Sequence, residues 1–88
     1  MSAGTSVFYE PKHVRDLEAF LANNKEKYHE IWIVIIKKSH ANPQPVSFNE
    51  AVNAAINIGL VDSRIKTLSE EKYAARFTKR KVKKVGSV

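Results

Sequence analysis

The sequence contains no cysteine, only three glycines and no long apolar run. Without cysteine the chain has no disulfides, no thiolate zinc ligands and no cysteine nucleophile. The longest apolar run, Ile31 to Ile36, has six residues, whereas a membrane-spanning helix needs roughly 20. The N-terminus, MSAGTSVFYEPKH, also lacks the pattern of a secretory signal. We therefore expect no membrane span and a cytoplasmic protein.

The positive charge is concentrated toward the C-terminus. Residues 1–62 hold 6 Lys and Arg against 7 Asp and Glu, net −1, and residues 63–88 hold 9 against 2, net +7, which together give the formal +6. This asymmetry predicts an anionic macromolecular partner, either nucleic acid or an acidic protein surface. A solvated face with a basic tail is the simpler interpretation. The run KRKVKK resembles a nuclear-localisation signal, which predicts a nuclear location if the protein is eukaryotic.

A chain of 88 residues holds one small domain with one core. A small polar segment at the N-terminus and a lysine-rich segment at the C-terminus flank a region with regular apolar patterns. We predict a disordered N-terminus at residues 1–7, a single domain at residues 8–81 and a flexible basic tail at residues 82–88. Because a domain of this size buries only ~60–65% of its unfolded surface, we expect a monomer or a weak homodimer.

The first periodic segment predicts a helix at residues 11–23. Its apolar residues recur at three- and four-residue steps, which places them on one helix face: Val14, Leu17, Phe20 and Leu21. Pro11 suits the first turn of a helix, where its missing N–H is not needed.

A second helix is predicted at residues 48–58. Ser47 and Glu50 have the spacing of a capping box, in which each side chain bonds the backbone N–H of the other residue. Gly59 follows at the position where helices commonly end in a left-handed residue.

The segment IWIVIIKK, residues 31–38, predicts a central strand, because an unbroken β-branched and aromatic run is typical of a strand buried on both faces. Residues 61–68 and 73–79 alternate between apolar and polar side chains and predict a hairpin that supplies the missing strand partners. A helix beginning at a Ser69 cap is the competing interpretation. The predicted fold class is α+β, with a small, mainly antiparallel sheet of about three strands packed against two helices.

The hairpin determines which cations have fixed positions. Pairing Ile65 with Phe77 turns the apolar residues of both strands to one face and places Arg64, Lys66 and Arg76 on the other. These three and the cations that follow are the candidate anion-contacting residues: Arg64, Lys66, Arg76, Lys79, Arg80 and Lys81.

One carboxylate is a candidate partner for these cations. Asp62 and Arg64 lie two apart on the predicted strand, so both would project from one face, and Asp62 would orient Arg64 or Arg76 to hold an anion. An ion pair that fixes the hairpin to the preceding helix explains the same spacing. The three histidines lack metal-ligand spacing: His13, His29 and His40. We therefore assign no catalytic residue, no metal and no cofactor.

Four stretches, taken in order, resemble the YdeI/OmpD-associated family, also called the bacteriocin-protection family. They are FLANNK, IWIVIIKK, the run from VSFNEAV to AINIGLVDSR, and YAARFTKRK, and together they span roughly residues 8–81. The residues that carry the similarity are Phe20, Leu21, Asn24, Trp32, Lys37, Lys38, Glu50, Ala51, Val52, Ala55, Gly59, Asp62, Arg64, Tyr73, Arg76, Phe77, Thr78 and Arg80. The chain departs from the family pattern where that pattern has Cys, Phe, Trp and Pro: at Asn57, Ile58, Leu60 and Lys79.

The resemblance implies an α+β domain whose stretch after Gly59 is extended, and it implies a role in protection against bacteriocins or antimicrobial peptides. It implies no reaction and no cofactor. We therefore expect a small non-catalytic binding module whose molecular activity is unknown. The first alternative is a nucleic-acid-binding protein that uses the basic hairpin and the C-terminal tail. The second is an enzyme that acts on a small anionic substrate through Asp62 and Arg64.

Overall fold

A computed structural model of the chain describes residues 6–41 and 43–79. The elements in chain order are β1 (Ser6–Tyr9), α1 (Val14–Asn24), β2 (Glu30–Ile36), α2 (Phe48–Ile56), β3 (Leu60–Thr67) and β4 (Lys72–Lys79). The strand order across the sheet is β1-β2-β4-β3, with β1 parallel to β2 and the other neighbours antiparallel. The α+β class is confirmed, and the sheet is mixed with one strand more than the sequence predicts. The predicted tail at 82–88 lies outside the described residues, as do residues 1–5.

The additional strand is β1, which pairs in parallel with residues 30–33 of β2. The whole of α1 separates these two strands in the chain, so no hairpin turn marks their pairing. Val7 and Tyr9 pack against the core, and the Tyr9 ring stacks on Phe20 with 4.0 Å between ring centroids. Ser6 and Val7, which the sequence analysis places in a disordered segment, belong to this strand instead.

The first helix, α1, begins at Val14 rather than at Pro11. His13 is its N-cap and has an extended backbone, with φ −149° and ψ 160°, so the residues before it cannot continue the helix. Leu17 and Leu21 are fully buried, which confirms the predicted apolar face.

The second helix, α2, begins as predicted with a complete capping box. The Glu50 N–H donates to Ser47 Oγ at 3.2 Å, and the Ser47 N–H donates to Glu50 Oε1 at 2.9 Å. The helix ends at Ile56, two residues earlier than predicted. Gly59 then takes a positive φ of 87°. Neither helix of the described residues is long and apolar enough to cross a membrane.

The hydrophobic core lies between the two helices and one face of the sheet. The strands contribute alternate residues to it: Ile31, Ile33, Ile35, Leu60, Ala75 and Phe77. Buried alanines of α2 let the helix approach the sheet closely: Ala51, Ala54 and Ala55. All residues from Ile31 to Ile35 are buried, which confirms a buried inner strand, but β2 ends at Ile36, so Lys37 and Lys38 lie outside the strand that was predicted to include them. Trp32 and Val34 form a second small cluster with Ala74 on the other face of the sheet.

Strands β3 and β4 form the predicted hairpin, and a helix beginning at Ser69 is therefore wrong. The predicted register is wrong by two residues, because Ile65 pairs with Ala75 rather than with Phe77. A two-residue shift does not change which face a side chain occupies, since side chains alternate with a period of two. The predicted cations therefore still share one face: Arg64, Lys66 and Arg76.

Substitution of Gly59 tests the left-handed backbone conformation that connects α2 to β3. No atom lies within 4 Å of the position that a new Cβ would take, so strain in a variant comes from the backbone alone. We expect Gly59→Ala to lower the free energy of unfolding by about 1–2 kcal/mol. Gly59→Asn should lower it less, because Asn tolerates the left-handed region better. Urea titration measures both values, and an Asn variant no more stable than the Ala variant would contradict this explanation.

Candidate functional site

The sheet face that is turned away from the helices carries the predicted cations. Arg64 on β3 lies directly opposite Arg76 on β4, and Lys66 follows one pleat further along β3. Trp32 on β2 is the next neighbour of Arg76, and Phe8 on β1 is the next neighbour of Trp32. We call this surface the uncovered face and define it by these five residues.

The uncovered face has an excess of positive charge. Arg76 Nη2 pairs with Glu30 Oε2 at 2.8 Å, whereas Arg64 and Lys66 make no ion pair with any of the described residues. Like charges directly opposite each other destabilise an antiparallel pair, and Glu30 neutralises only one of the two arginines. The Arg76 Nε atom is also shielded from solvent without a hydrogen-bond partner among the described residues. The face therefore carries like charges that Glu30 balances only in part.

Glu30 connects three side chains on the uncovered face. Its Oε1 accepts a hydrogen bond from Ser6 Oγ at 2.9 Å and another from Trp32 Nε1 at 3.3 Å, while Oε2 bonds Arg76. The pKa of Glu30 is lowered, mainly by the hydrogen bond from Ser6, with partial desolvation opposing and with smaller contributions from Trp32 and Arg76. The ionised carboxylate thus holds both the indole and the guanidinium in place.

Two depressions of the surface lie near the hairpin. The first has a volume of about 450 Å³ and lies on the uncovered face. Its lining includes a carboxylate, an indole and three cations: Glu30, Trp32, Arg64, Lys66 and Arg76. The second, about 370 Å³, is lined mainly by apolar groups on the helix side, including Phe48, Ile65 and Tyr73. Within the described ranges no group of three or more His, Cys, Asp or Glu residues is placed to hold a metal ion.

The predicted alignment of Asp62 with Arg64 is wrong. A β-bulge between the two residues interrupts the alternation of β3, with Ser63 as the extra residue. Asp62 consequently lies opposite Phe77, on the helix side, whereas Arg64 lies opposite Arg76 on the uncovered face. Asp62 is therefore on the wrong face to orient either arginine. The regular alternation of polar and apolar residues gives no sign of this bulge.

Lys79, the next predicted cation after Arg76, does not join the uncovered face. Lys79 lies opposite Leu60 at the end of β4, and its Nζ pairs with Glu26 Oε1. The hydrogen bond from Lys79 is the main cause of a lowered pKa at Glu26. The ammonium group of Lys79 is thus already paired with a carboxylate of the protein. Arg80 and Lys81 lie outside the described residues.

Two aromatic residues of the uncovered face, Phe8 and Trp32, were not predicted from the sequence to be site residues. The rings of Phe8 and Trp32 stack, with 5.5 Å between centroids and an interplanar angle of 8°. Trp32 lies in a run with no polar break, so the pattern does not show which of its residues face away from the helices. The short β-branched and aromatic run Val7-Phe8-Tyr9 is the signal that could have placed Phe8 on a strand.

The fold and the site together define an α+β domain in which both described helices pack on the same face of a four-stranded sheet. Residues 9–87 match the family model described as Domain of unknown function (DUF8412), so the chain belongs to this family. Trp32, Arg64 and Arg76 lie within the match, and Phe8 lies immediately before it. No curated protein and no solved structure matches the chain. Nothing in these comparisons links the chain to the YdeI/OmpD-associated family, so that resemblance stays a prediction.

Replacement of Glu30 by glutamine tests whether the ionised carboxylate stabilises this arrangement. At about pH 7 we expect Glu30→Gln to be less stable than the parent protein, because the neutral amide no longer attracts Arg76. Since folding lowers the pKa of Glu30, its stabilisation is complete above the unfolded value of about 4.3 and disappears as the pH falls through the lower folded value. Denaturant titrations at a series of pH values should show that the difference in free energy of unfolding between the parent protein and Glu30→Gln becomes smaller below about pH 4.3.

Glu18 provides the matched control for this experiment. It is exposed on α1, and its side chain makes no hydrogen bond or ion pair with the described residues. Glu18→Gln removes the same charge and should change the stability much less at neutral pH. The role of Glu30 would be contradicted if Glu30→Gln and Glu18→Gln lowered the free energy of unfolding by the same amount. It would also be contradicted if the loss caused by Glu30→Gln stayed unchanged in acid.

Proposed function

We propose that this domain is a small non-catalytic binding module that holds a nucleic-acid strand by its phosphates against the uncovered face. The observation that carries the proposal is the position of Arg64 directly opposite Arg76, with Lys66 beside them and one carboxylate, Glu30, among three cations. Phosphate contacts from Lys and Arg provide most of the affinity in sequence-independent nucleic-acid binding. An anionic strand would also relieve the repulsion between the two arginines.

A structural explanation of the same cations must be distinguished from this one. Strand β3 is at the edge of the sheet, and proteins often place charged residues and bulges on edge strands to prevent pairing with other chains. That protection requires charge of either sign on β3. It does not require Arg76 on the inner strand β4 to face Arg64, and it does not require aromatic rings beside the cations.

The other predicted functions have less support from the geometry. The role in protection against bacteriocins, which the family resemblance implies, stays a prediction. Capture of a cationic peptide fits poorly with a cationic face. The proposed enzyme site loses its geometric basis, because Asp62 and Arg64 lie on opposite faces of the sheet.

A charge reversal of Arg64→Glu with Lys66→Glu tests the proposed function. Glutamate keeps charged residues on the edge strand, so protection of the edge is retained while two phosphate contacts are lost. We expect affinity for a labelled single strand of about 16 nucleotides to fall by roughly tenfold or more at about 50 mM salt. The slope of log K against log salt should become shallower by about 1.4. Fluorescence anisotropy between about 50 and 200 mM salt measures both quantities.

The control carries the same change of charge away from the uncovered face. Arg15 on α1 and Lys27 after it are both exposed, so Arg15→Glu with Lys27→Glu alters the net charge equally. This control should bind nearly as well as the parent protein. Equal losses in the two double variants would show that net charge alone determines binding. If the parent protein does not bind at the lowest salt, the proposed function is wrong.

A further inference from the structure

Four side chains form one continuous row across the uncovered face. Phe8 pairs with Trp32, Trp32 with Arg76, and Arg76 with Arg64, so the row contains one residue from each strand in spatial order. With neighbouring strands about 4.8 Å apart, the row extends over roughly 14 Å. Its two aromatic residues are at the β1 side and its two arginines are at the β3 side. The row therefore combines an apolar end with a cationic end.

The aromatic end has one ring that remains accessible. The stack with Trp32 covers one side of Phe8, yet 49% of Phe8 is exposed, whereas Trp32 is only 9% exposed. A large exposed apolar ring on a strand is unfavourable in water unless something packs on it. The rings of Phe8 and Trp32 are nearly parallel, so a third planar group on the side of Phe8 away from Trp32 would extend the stack.

The row is also held in a fixed arrangement before any partner binds. Glu30 accepts a hydrogen bond from the Trp32 indole at 3.3 Å and pairs with Arg76 at 2.8 Å, and it is itself bonded by Ser6 of β1. One carboxylate thus positions the central tryptophan and one arginine relative to each other. A ligand that uses both ends of the row meets groups whose side-chain entropy is already reduced.

We infer that this row is a binding site for single-stranded nucleic acid, in which an unpaired base stacks on Phe8 and the phosphates extend across the sheet toward Arg64 and Lys66. The inference rests on the proposed function and adds the kind of strand that is bound. Other four-stranded sheets bind single-stranded RNA by stacking bases on aromatic side chains. Stacking on an aromatic ring is tolerant of base identity, so the site should show little sequence preference.

The chemistry of the row selects a single strand over other anions. In a duplex the faces of the bases are occupied by their neighbours in the stack, so Phe8 has no base face to contact. An acidic peptide supplies negative charge for Arg64 and Lys66 but no planar group in regular alternation with that charge. A single strand supplies both, because every nucleotide carries one phosphate and one base.

Substitutions of Phe8 in the full-length protein test the stacking contact. We would measure binding to three labelled probes of about 12 nucleotides or base pairs: oligothymidylate, an abasic strand with the same phosphates, and a duplex. We expect the parent protein to bind oligothymidylate about tenfold more tightly than the abasic strand. Phe8→Ala and Phe8→Leu should remove this difference, and Phe8→Tyr should keep it. Phe8→Leu retains an apolar side chain on β1, and thermal unfolding of each variant verifies that the fold is intact.

Substitutions in the C-terminal segment separate charge from stacking. Arg80→Gln with Lys81→Gln removes two positive charges and substitutes no residue of the row. It should weaken binding to oligothymidylate and to the abasic strand by the same factor, so that their ratio is unchanged. A change in the ratio would show that base recognition lies outside the row and would overturn the inference.

The outcomes distinguish this inference from the proposed function. Equal binding of oligothymidylate and the abasic strand, with both weakened by Arg64→Glu and Lys66→Glu, would overturn the stacking site and leave phosphate binding in place. Tighter binding of the duplex than of oligothymidylate would also overturn the stacking site and leave phosphate binding in place. Failure to bind any of the three probes at low salt would overturn both proposals.

Discussion

The one-sided packing of the helices is the constraint on which the rest of this structure depends. Both helices bury the same face of the sheet, so side chains of the other face must be stable beside water. Trp32 and Val34 lie there with only 9% of each exposed, although neither described helix covers them. Neighbouring side chains must therefore shield them, and long basic residues can do this with their apolar stems while their charges stay in solvent. Arg76, the neighbour of Trp32 on β4, is placed to cover apolar surface with its stem and to present its charge to solvent.

The central position of β2 explains how aromatic and cationic groups come together. Its neighbours are β1, which supplies Phe8, and β4, which supplies Arg76, so the Trp32 side chain lies between an apolar ring and a charged group. Glu30 at the start of β2 then links the indole to the guanidinium. The bulge in β3 is equally necessary, because it turns Asp62 to the helix side and so separates this carboxylate from Arg64, which lies on the uncovered face.

Local signals predicted those parts of the fold that depend on neighbouring residues in the chain. The capping box at Ser47, the left-handed backbone of Gly59 after α2 and the hairpin alternation are short-range features, and each is present. The parallel pairing of β1 depends on residues more than twenty positions away, and the bulge depends on a local change of pairing, so neither leaves a periodic pattern. The cations could therefore be placed on one face from the sequence, whereas their aromatic neighbours and the position of Asp62 could not.

The central claim is that the uncovered face is the binding surface, and chemical-shift mapping by NMR tests it most directly. A titration of isotope-labelled protein with oligothymidylate should shift the indole N–H of Trp32 and the backbone amides of Phe8, Arg64 and Arg76 in a single saturable process. The exposed residues of α1 should not shift. Perturbations confined to the helices, or confined to the segment after Lys79 with no change at Trp32, would contradict the account.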